Sequence, residues 1–375
     1  MHFLKPDFHH QTAAIMAYNS IKFARATSND FFKILRQRVD SYFEENKISR
    51  LADGRMVFKT VFMLALYLVP FIISLTMVES KLVYFGLWVV MGIGMAGIGL
   101  SIMHDANHGS YSKNKFVNYG LGHMINLVGG CASFWKIQHN VLHHTYTNIH
   151  GHDEDISRTK IIRMSPHAPK RAIHKYQHYY AWFLYGLMTL TWATNKEFQQ
   201  IYEFKEKGLL DEKGVYATFW TELVLTKVIY HAYIFGLPLL LTPFSFGFIF
   251  VSFLAMHFLA GIILGYVFQP AHVIMENDFP LPDDTGNVKN TWAINQITTT
   301  ANFAPNGGLF SWYVGGLNFQ IEHHLFPNIC HVHYKAISKI VEKTAKEFSL
   351  PYISEKTWFS AIANHQRLLK KLAHS

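Results

Sequence analysis

Long uncharged runs set the architecture of this chain. Val61–Val78 is 18 residues without a Lys, Arg, Asp or Glu, and Leu82–Met103 is 22. Each suits a helix through a hydrocarbon core of about 30 Å. Only Glu79, Ser80 and Lys81 separate them, which predicts a tight helical hairpin with spans at about 57–78 and 82–103. Gly86, Gly92, Gly94, Gly97 and Gly99 give the second helix a small-residue surface for close packing. Val228–Ala271 then runs for 44 residues without a charge, enough for two crossings at about 20 residues each. A break around Leu241–Gly247, where Pro243 lies, predicts a second hairpin with spans at about 221–241 and 247–268. Two further apolar stretches, Val117–Trp135 and Tyr179–Asn195, are ambiguous by length alone.

Charge refines this picture. Half the residues are hydrophobic and only 16% are charged, against roughly 25% in ordinary globular chains, which excludes intrinsic disorder. The net charge of +9 lies in the flanks: nine Lys and Arg up to Arg55, thirteen in 104–217, nine from Gln269 onward, one in the first hairpin loop and none in the second. That asymmetry places both termini and the 104–217 connection in the cytoplasm and accounts for the basic character without nucleic acid. Met1–Arg55 has no apolar core of a secretory signal. Cys131 and Cys330 are too few for a disulfide framework or a cysteine-held metal cluster. The expected division is a cytoplasmic arm over 1–55, a membrane domain over 56–350 and a cytoplasmic tail over 351–375.

Histidine is the unusual residue, at 23 of 375. His104-Asp-Ala-Asn-His108 directly follows the second span, His139-Asn-Val-Leu-His143-His144 lies in the long connection, and Gln320-Ile-Glu-His323-His324 lies past the last span. His272 stands at the end of the fourth. Residues three or four apart share a helix face, so each cluster can present its imidazoles together. Adjacent histidines diverge by about 100° on a helix, so a His-His pair suits two neighbouring metals better than one. Eight imidazoles, with Gln320 as a ninth donor, suit a pair of first-row transition metals. His123, His231 and His257 read as packing residues, and His150 and His152 as a solvated loop. One shared site requires the clusters to meet at one membrane face. That is met only if neither Val117–Trp135 nor Tyr179–Asn195 crosses, and both are expected as interfacial helices. The fold expected is all-α: four transmembrane helices in two hairpins, with a helical cytoplasmic cap carrying a di-metal site.

These three clusters resemble the histidine boxes of the membrane fatty acid desaturases. The stretch Gly315-Gly-Leu-Asn-Phe-Gln-Ile-Glu-His-His-Leu-Phe-Pro327 is similar to the third box of front-end desaturases and their bacterial relatives. The resemblance covers about 55–350. It implies two non-haem iron ions, O2 as co-substrate and a narrow acyl tunnel beneath the cap, with His272 completing the ligand set. The substrate would be a fatty acyl chain carried on CoA or on a membrane lipid. The cytochrome b5-type haem motif His-Pro-Gly-Gly is absent from the sequence, so a separate electron donor, a ferredoxin or a cytochrome b5-type protein, is expected. Asp105, Asp153, Asp155 and Glu322 are expected to orient imidazoles through their second N–H. Lys113, Lys115, Lys136, Arg158 and Lys160 are candidates for a basic substrate entrance. Two rivals remain: a lipid or carotenoid hydroxylase or ketolase with the same site, and a membrane metal transporter.

Overall fold

The structure is a computed structural model that describes residues 21–26 and 30–375; the rest of the expected N-terminal arm lies outside the described residues. It is mostly helical. Among the described residues four helices are long and apolar enough to cross a membrane: Gly54–Thr76, Lys81–Asn107, Val215–Leu241 and Phe246–His272. At 1.5 Å per residue they are about 35 to 40 Å long. The first begins where the Asp53 carboxylate accepts from Arg55 N, and the second where the Ser80 hydroxyl accepts from Val83 N. The third begins after Gly214, whose φ of 86° terminates the preceding turn.

The second span occupies the centre because its glycines let neighbours approach to backbone contact. A Cβ on Gly92 would lie 2.6 Å from the Met256 carbonyl of the fourth span, and one on Gly94 would lie 2.6 Å from Tyr67 N of the first. Trp88, Tyr84 and Tyr67 fill the remaining space and are fully buried.

The two ambiguous stretches are broken into short pieces. Val117–Trp135 falls into Lys115–Gly122, Met124–Leu127 and Ala132–Trp135, with a turn at Gly129 (φ 91°). Tyr179–Asn195 falls into Gln177–Gly186 and Met188–Thr194. The first of these helices lies hard against the fourth span, since a Cβ on Gly261 would sit 2.6 Å from the Tyr185 carbonyl. An ion pair buried on both sides, Lys227 with Glu197, ties these pieces to the third span. The Lys227 ammonium also donates to the carbonyls of Gly129 and Trp192, both at 2.6 Å.

The cap gathers segments from distant parts of the chain. Helix Phe31–Glu45 buries Phe31, Leu35, Val39 and Phe43 against Ile337, Val341 and Ala345 of helix Tyr334–Glu347. Arg38 joins the pair through Thr344 (2.9 Å) and Glu347 (2.7 Å). The last helix, Trp358–His374, packs back on the membrane body, where Trp358 Nε1 donates to the Tyr266 carbonyl and His365 meets Tyr185. Two short parallel strand pairs, Lys22–Phe23 with Asn287–Val288 and Asn302–Phe303 with Ser354–Glu355, stitch the cap together.

Candidate metal centre

Each histidine cluster is set on a short, irregular helical piece at the cap end of the spans. The second span passes through a π-helical turn at Ile98–Ile102 before presenting His104, and His108 ends its last turn. His139 and His143 lie on a π-helical segment, Lys136–His143, with His144 just beyond. Gln320, His323 and His324 occupy the six-residue helix Gln320–Leu325. His272 is the final residue of the fourth span.

Four separate segments thus deliver eight imidazoles to one place. The ring nitrogens of His104, His108, His139 and His323 lie within 4.8 Å of one another, and so do those of His143, His272 and His324. His144 lies between the two groups: its Nε2 is 2.9 Å from His323 Nε2 and 3.2 Å from His139 Nε2, and its ring stacks on His324 at 4.3 Å. Of the doubled histidines, His323 falls in the first group and His143 and His324 in the second, while His323 and His324 also come together with His144 in a third close set.

The donor set fits a metal because the protein fixes which nitrogen carries the proton. His143 Nδ1 donates to both Asp153 carboxylate oxygens at 3.1 Å, His324 Nδ1 to Gln296 Oε1 at 2.8 Å, and His272 Nδ1 to the Thr299 carbonyl at 3.4 Å. These partners accept from Nδ1, so Nε2 is the nitrogen each ring has left to offer a metal. His323 Nδ1 is similarly engaged by the Tyr334 hydroxyl at 3.1 Å. The inward nitrogens of His108, His272 and His324, with both nitrogens of His104, are buried without a hydrogen-bond partner. Buried lone pairs facing one another are costly and call for cations between them.

The electrostatics agree. Burial, then the neighbouring rings, holds His108, His139, His144, His323 and His324 well below the usual histidine range, in the neutral form that ligates metal. His143 differs. Burial pushes it down, but Asp153 and Asp155 outweigh this and push it up to about 9, so a metal there must displace a proton. Asp153→Ala removes the acceptor that orients this ring and is expected to weaken metal retention by about 10–100-fold, read as metal content per chain after dialysis.

The four acidic residues take different positions. Asp153 holds His143 and also accepts from Asn148 N at 2.9 Å. Asp155 Oδ2 lies 3.4 Å from His143 Nδ1, while its Oδ1 accepts from Gln138 at 2.6 Å. Asp105 Oδ1 lies 3.6 Å from His104 Nδ1, and Oδ2 accepts from His331 Nδ1 at 2.8 Å. Glu322 turns away from the imidazoles: it accepts from Asn302 Nδ2 (2.8 Å) and the Tyr352 hydroxyl (2.9 Å), and burial pushes it up to about 7. Gln320 is buried with its amide nitrogen unpartnered.

His150 and His152 join none of the ligand groups among the described residues. His257 bonds Tyr230 and Thr189 within the membrane body. Of the basic entrance residues, Arg158 is committed to Glu203 at 2.6 Å, whereas Lys113, Lys115 and Lys160 are exposed. Gln296, Tyr334, Thr299 and His331 escaped the sequence reading. Only His331 left a signal there, as one more histidine seven residues after His324.

Beside Met103, the residue before His104, a small apolar cavity opens between Met95, Gly99, Val128, Trp192 and Leu264. The loop before the third cluster is pressed onto the second span near this point. Gly315 and Gly316 have φ of 65° and 66°, and a Cβ on Gly315 would collide with the Leu100 carbonyl. Gly315→Ala is expected to cost about 1–2 kcal/mol in left-handed strain alone. It should also push Gln320–Leu325 away from His104, so that metal content falls together with the thermal unfolding midpoint.

Residues 79–356 match the family model for fatty acid desaturase. The chain is 37% identical over 358 residues to the acyl-lipid (8-3)-desaturase of Physcomitrium patens, covering 94% of this chain and 74% of that protein. It is 35% identical over 372 residues to the sn-1 linoleoyl-lipid 6-desaturase of Arthrospira platensis, covering 96% of each. The protein of the same description from Synechocystis sp. is 35% identical over 357 residues, 94% of this chain and 97% of that one.

Proposed function

The chain belongs to the fatty acid desaturase family, and we propose that it introduces a double bond into a lipid-linked acyl chain at two histidine-held non-haem iron ions, with O2 as co-substrate. The observation that carries this reading is the meeting of eight imidazoles, seven of them buried and His108 half-buried, in two groups joined through His144 and His323, with lone pairs turned toward one another. His104, His108, His139 and His323 would hold one ion, and His143, His272 and His324 the other, with His144 between them and Gln320 at the edge. Imidazole suits iron.

When bound, such a pair supplies the oxidising power that removal of hydrogen from an unactivated methylene requires and that no side chain offers. The rest is work for the polypeptide. Asp153, Gln296, Tyr334 and the Thr299 carbonyl hold the Nδ1 side of their rings, keeping each Nε2 aimed inward. Trp135 stacks on His139 at 4.4 Å and walls that ring from water. The small apolar cavity beside Met103 would be the place for methylenes of the chain, and its one polar side chain, Thr189, has its hydroxyl spent on the His257 carbonyl.

Two hydrogens leave adjacent carbons. Reduction of O2 to water needs two further electrons and protons, so a separate donor, a ferredoxin or a cytochrome b5-type protein, would serve the site. Curated relatives named for acyl-lipid substrates favour a lipid-linked chain over acyl-CoA, and the third-cluster motif favours insertion on the carboxyl side of an existing double bond. The distribution of Lys and Arg supports a cap and termini in the cytoplasm.

The test is expression in a host that lacks polyunsaturated lipids, fed with several acyl chains, with double-bond positions read by mass spectrometry. A new double bond in a lipid-bound chain is the result expected. Oxygenated products without desaturation would overturn the reading in favour of a hydroxylase.

A further inference from the structure

The first span carries a lysine inside the protein at its cap end. Lys59 is 2% exposed, and a buried ionisable residue in a membrane helix demands an account, because its burial is costly unless it does something. Its ammonium lies 2.6 Å from His331 Nε2 and 5.4 Å from the centre of the Trp312 ring. His331 is itself buried, and its Nδ1 and backbone N–H both donate to Asp105 Oδ2, at 2.8 and 3.2 Å. The other oxygen of Asp105 faces His104 Nδ1 at 3.6 Å.

Donor and acceptor rules leave one arrangement for this chain of groups. An ammonium only donates, so His331 Nε2 accepts and carries no proton; a carboxylate only accepts, so Nδ1 carries it. The positive charge of Lys59 and the negative charge of Asp105 then balance across a neutral ring. Asp105, Cys330 and His331 also lie close enough together to suggest a third metal position, but the Lys59 ammonium already occupies the free nitrogen of His331 and would repel a cation there.

We infer that Lys59 is a positioning residue for the metal group that contains His104. By donating to His331 it fixes that ring's tautomer, which pins Asp105 with its second oxygen 3.6 Å from His104 Nδ1, and the negative charge held there orients the His104 ring among its three partners. The inference rests on the proposal that His104 is a ligand. It adds a residue 45 positions away, in a different span, to the apparatus that keeps the ligand in place.

The experiment uses the full chain in lipid nanodiscs loaded with cobalt(II), following the visible ligand-field bands and the release of cobalt to EDTA. Lys59→Met keeps the length of the side chain and removes the donor. It is expected to change the ligand-field bands and to speed release from one of the two groups by about tenfold, the scale for loss of an outer partner of a ligand. The thermal unfolding midpoint is expected to fall, because Asp105 is left without its balancing charge, so release is compared well below the midpoint of each variant. Lys59→Gln, whose amide still donates, should restore slow release, and His331→Gln breaks the chain from the other side and should reproduce fast release even where Lys59→Met fails to fold. His104→Ala is the control. Slow release with unchanged bands in both Lys59→Met and His331→Gln, against fast release in His104→Ala, would overturn the positioning role and leave the site reading intact. Unchanged release in His104→Ala as well would remove the premise itself.

Discussion

His323→Ala is expected to eliminate double-bond formation and to strip metal from both groups at once. His323 is a member of the group with His104, His108 and His139, and it also lies with His144 and His324 in a third close set. Its Nε2 is 2.9 Å from His144 Nε2, so its removal opens a gap where the two groups join. His272 belongs to a single group, and His272→Ala should therefore empty one position and spare the other. Metal per chain by elemental analysis distinguishes the two variants, and lipid analysis reads the product. Full metal and measurable product in His323→Ala would contradict the assignment of this residue as a ligand. His143→Ala should also lose product, because the second group has few other ligands.

Glu197→Leu is expected to destabilise the fold by about 3–5 kcal/mol, the scale for stripping one partner from a buried ion pair. Lys227 would then carry an uncompensated charge inside the third span, where it is 7% exposed and surrounded by the Gly129 and Trp192 carbonyls. Glu197 loses more than charge, since its second oxygen accepts from Cys131 N at 2.7 Å. The double variant Glu197→Leu, Lys227→Met should recover much of the loss, because apolar side chains fill the space without a charge to solvate. The measurement is thermal unfolding in detergent of both single variants and the double, as a cycle. Single-variant losses that simply add in the double would show that the charge pair contributes nothing. Val128, Gly130 and Trp192 line the apolar cavity, so the same staple shapes the wall along which an acyl chain would lie.

How much of this was legible depends on the kind of signal. Metal-ligand spacing survives in one dimension, and the clusters at 104–108, 139–144 and 320–324 stand out for that reason. Three clusters that must share one face argue against a crossing by 117–135 or by 179–195, and among the described residues neither stretch forms a helix long enough to cross. Partners contributed singly are another matter. Gln296, Tyr334 and the Thr299 carbonyl have no periodic mark, and only folding brings them to their imidazoles. Glu322 lies between two box residues, yet its place on the short helix turns it toward Asn302 and Tyr352. Lys59 and Lys227 were invisible for a physical reason: counting cations to orient a membrane protein treats every lysine as solvated, and these two are not. The ends of the spans moved by several residues because caps such as Asp53 and Gly214, not hydropathy, decide where a helix starts.

The π-helical turns at Ile98–Ile102 and Lys136–His143 amount to one extra residue wound into an otherwise regular coil. Were the same residues wound at the regular 3.6 per turn, local helix geometry would improve, yet every side chain beyond them would come round at a different angle. His104 and His108 would then swing to the lipid side, or His143 and His144 would face the wrong partners. Both helices are thus held in a less comfortable winding whose only evident yield is angular phase, and a more regular version of this protein would be a blind one.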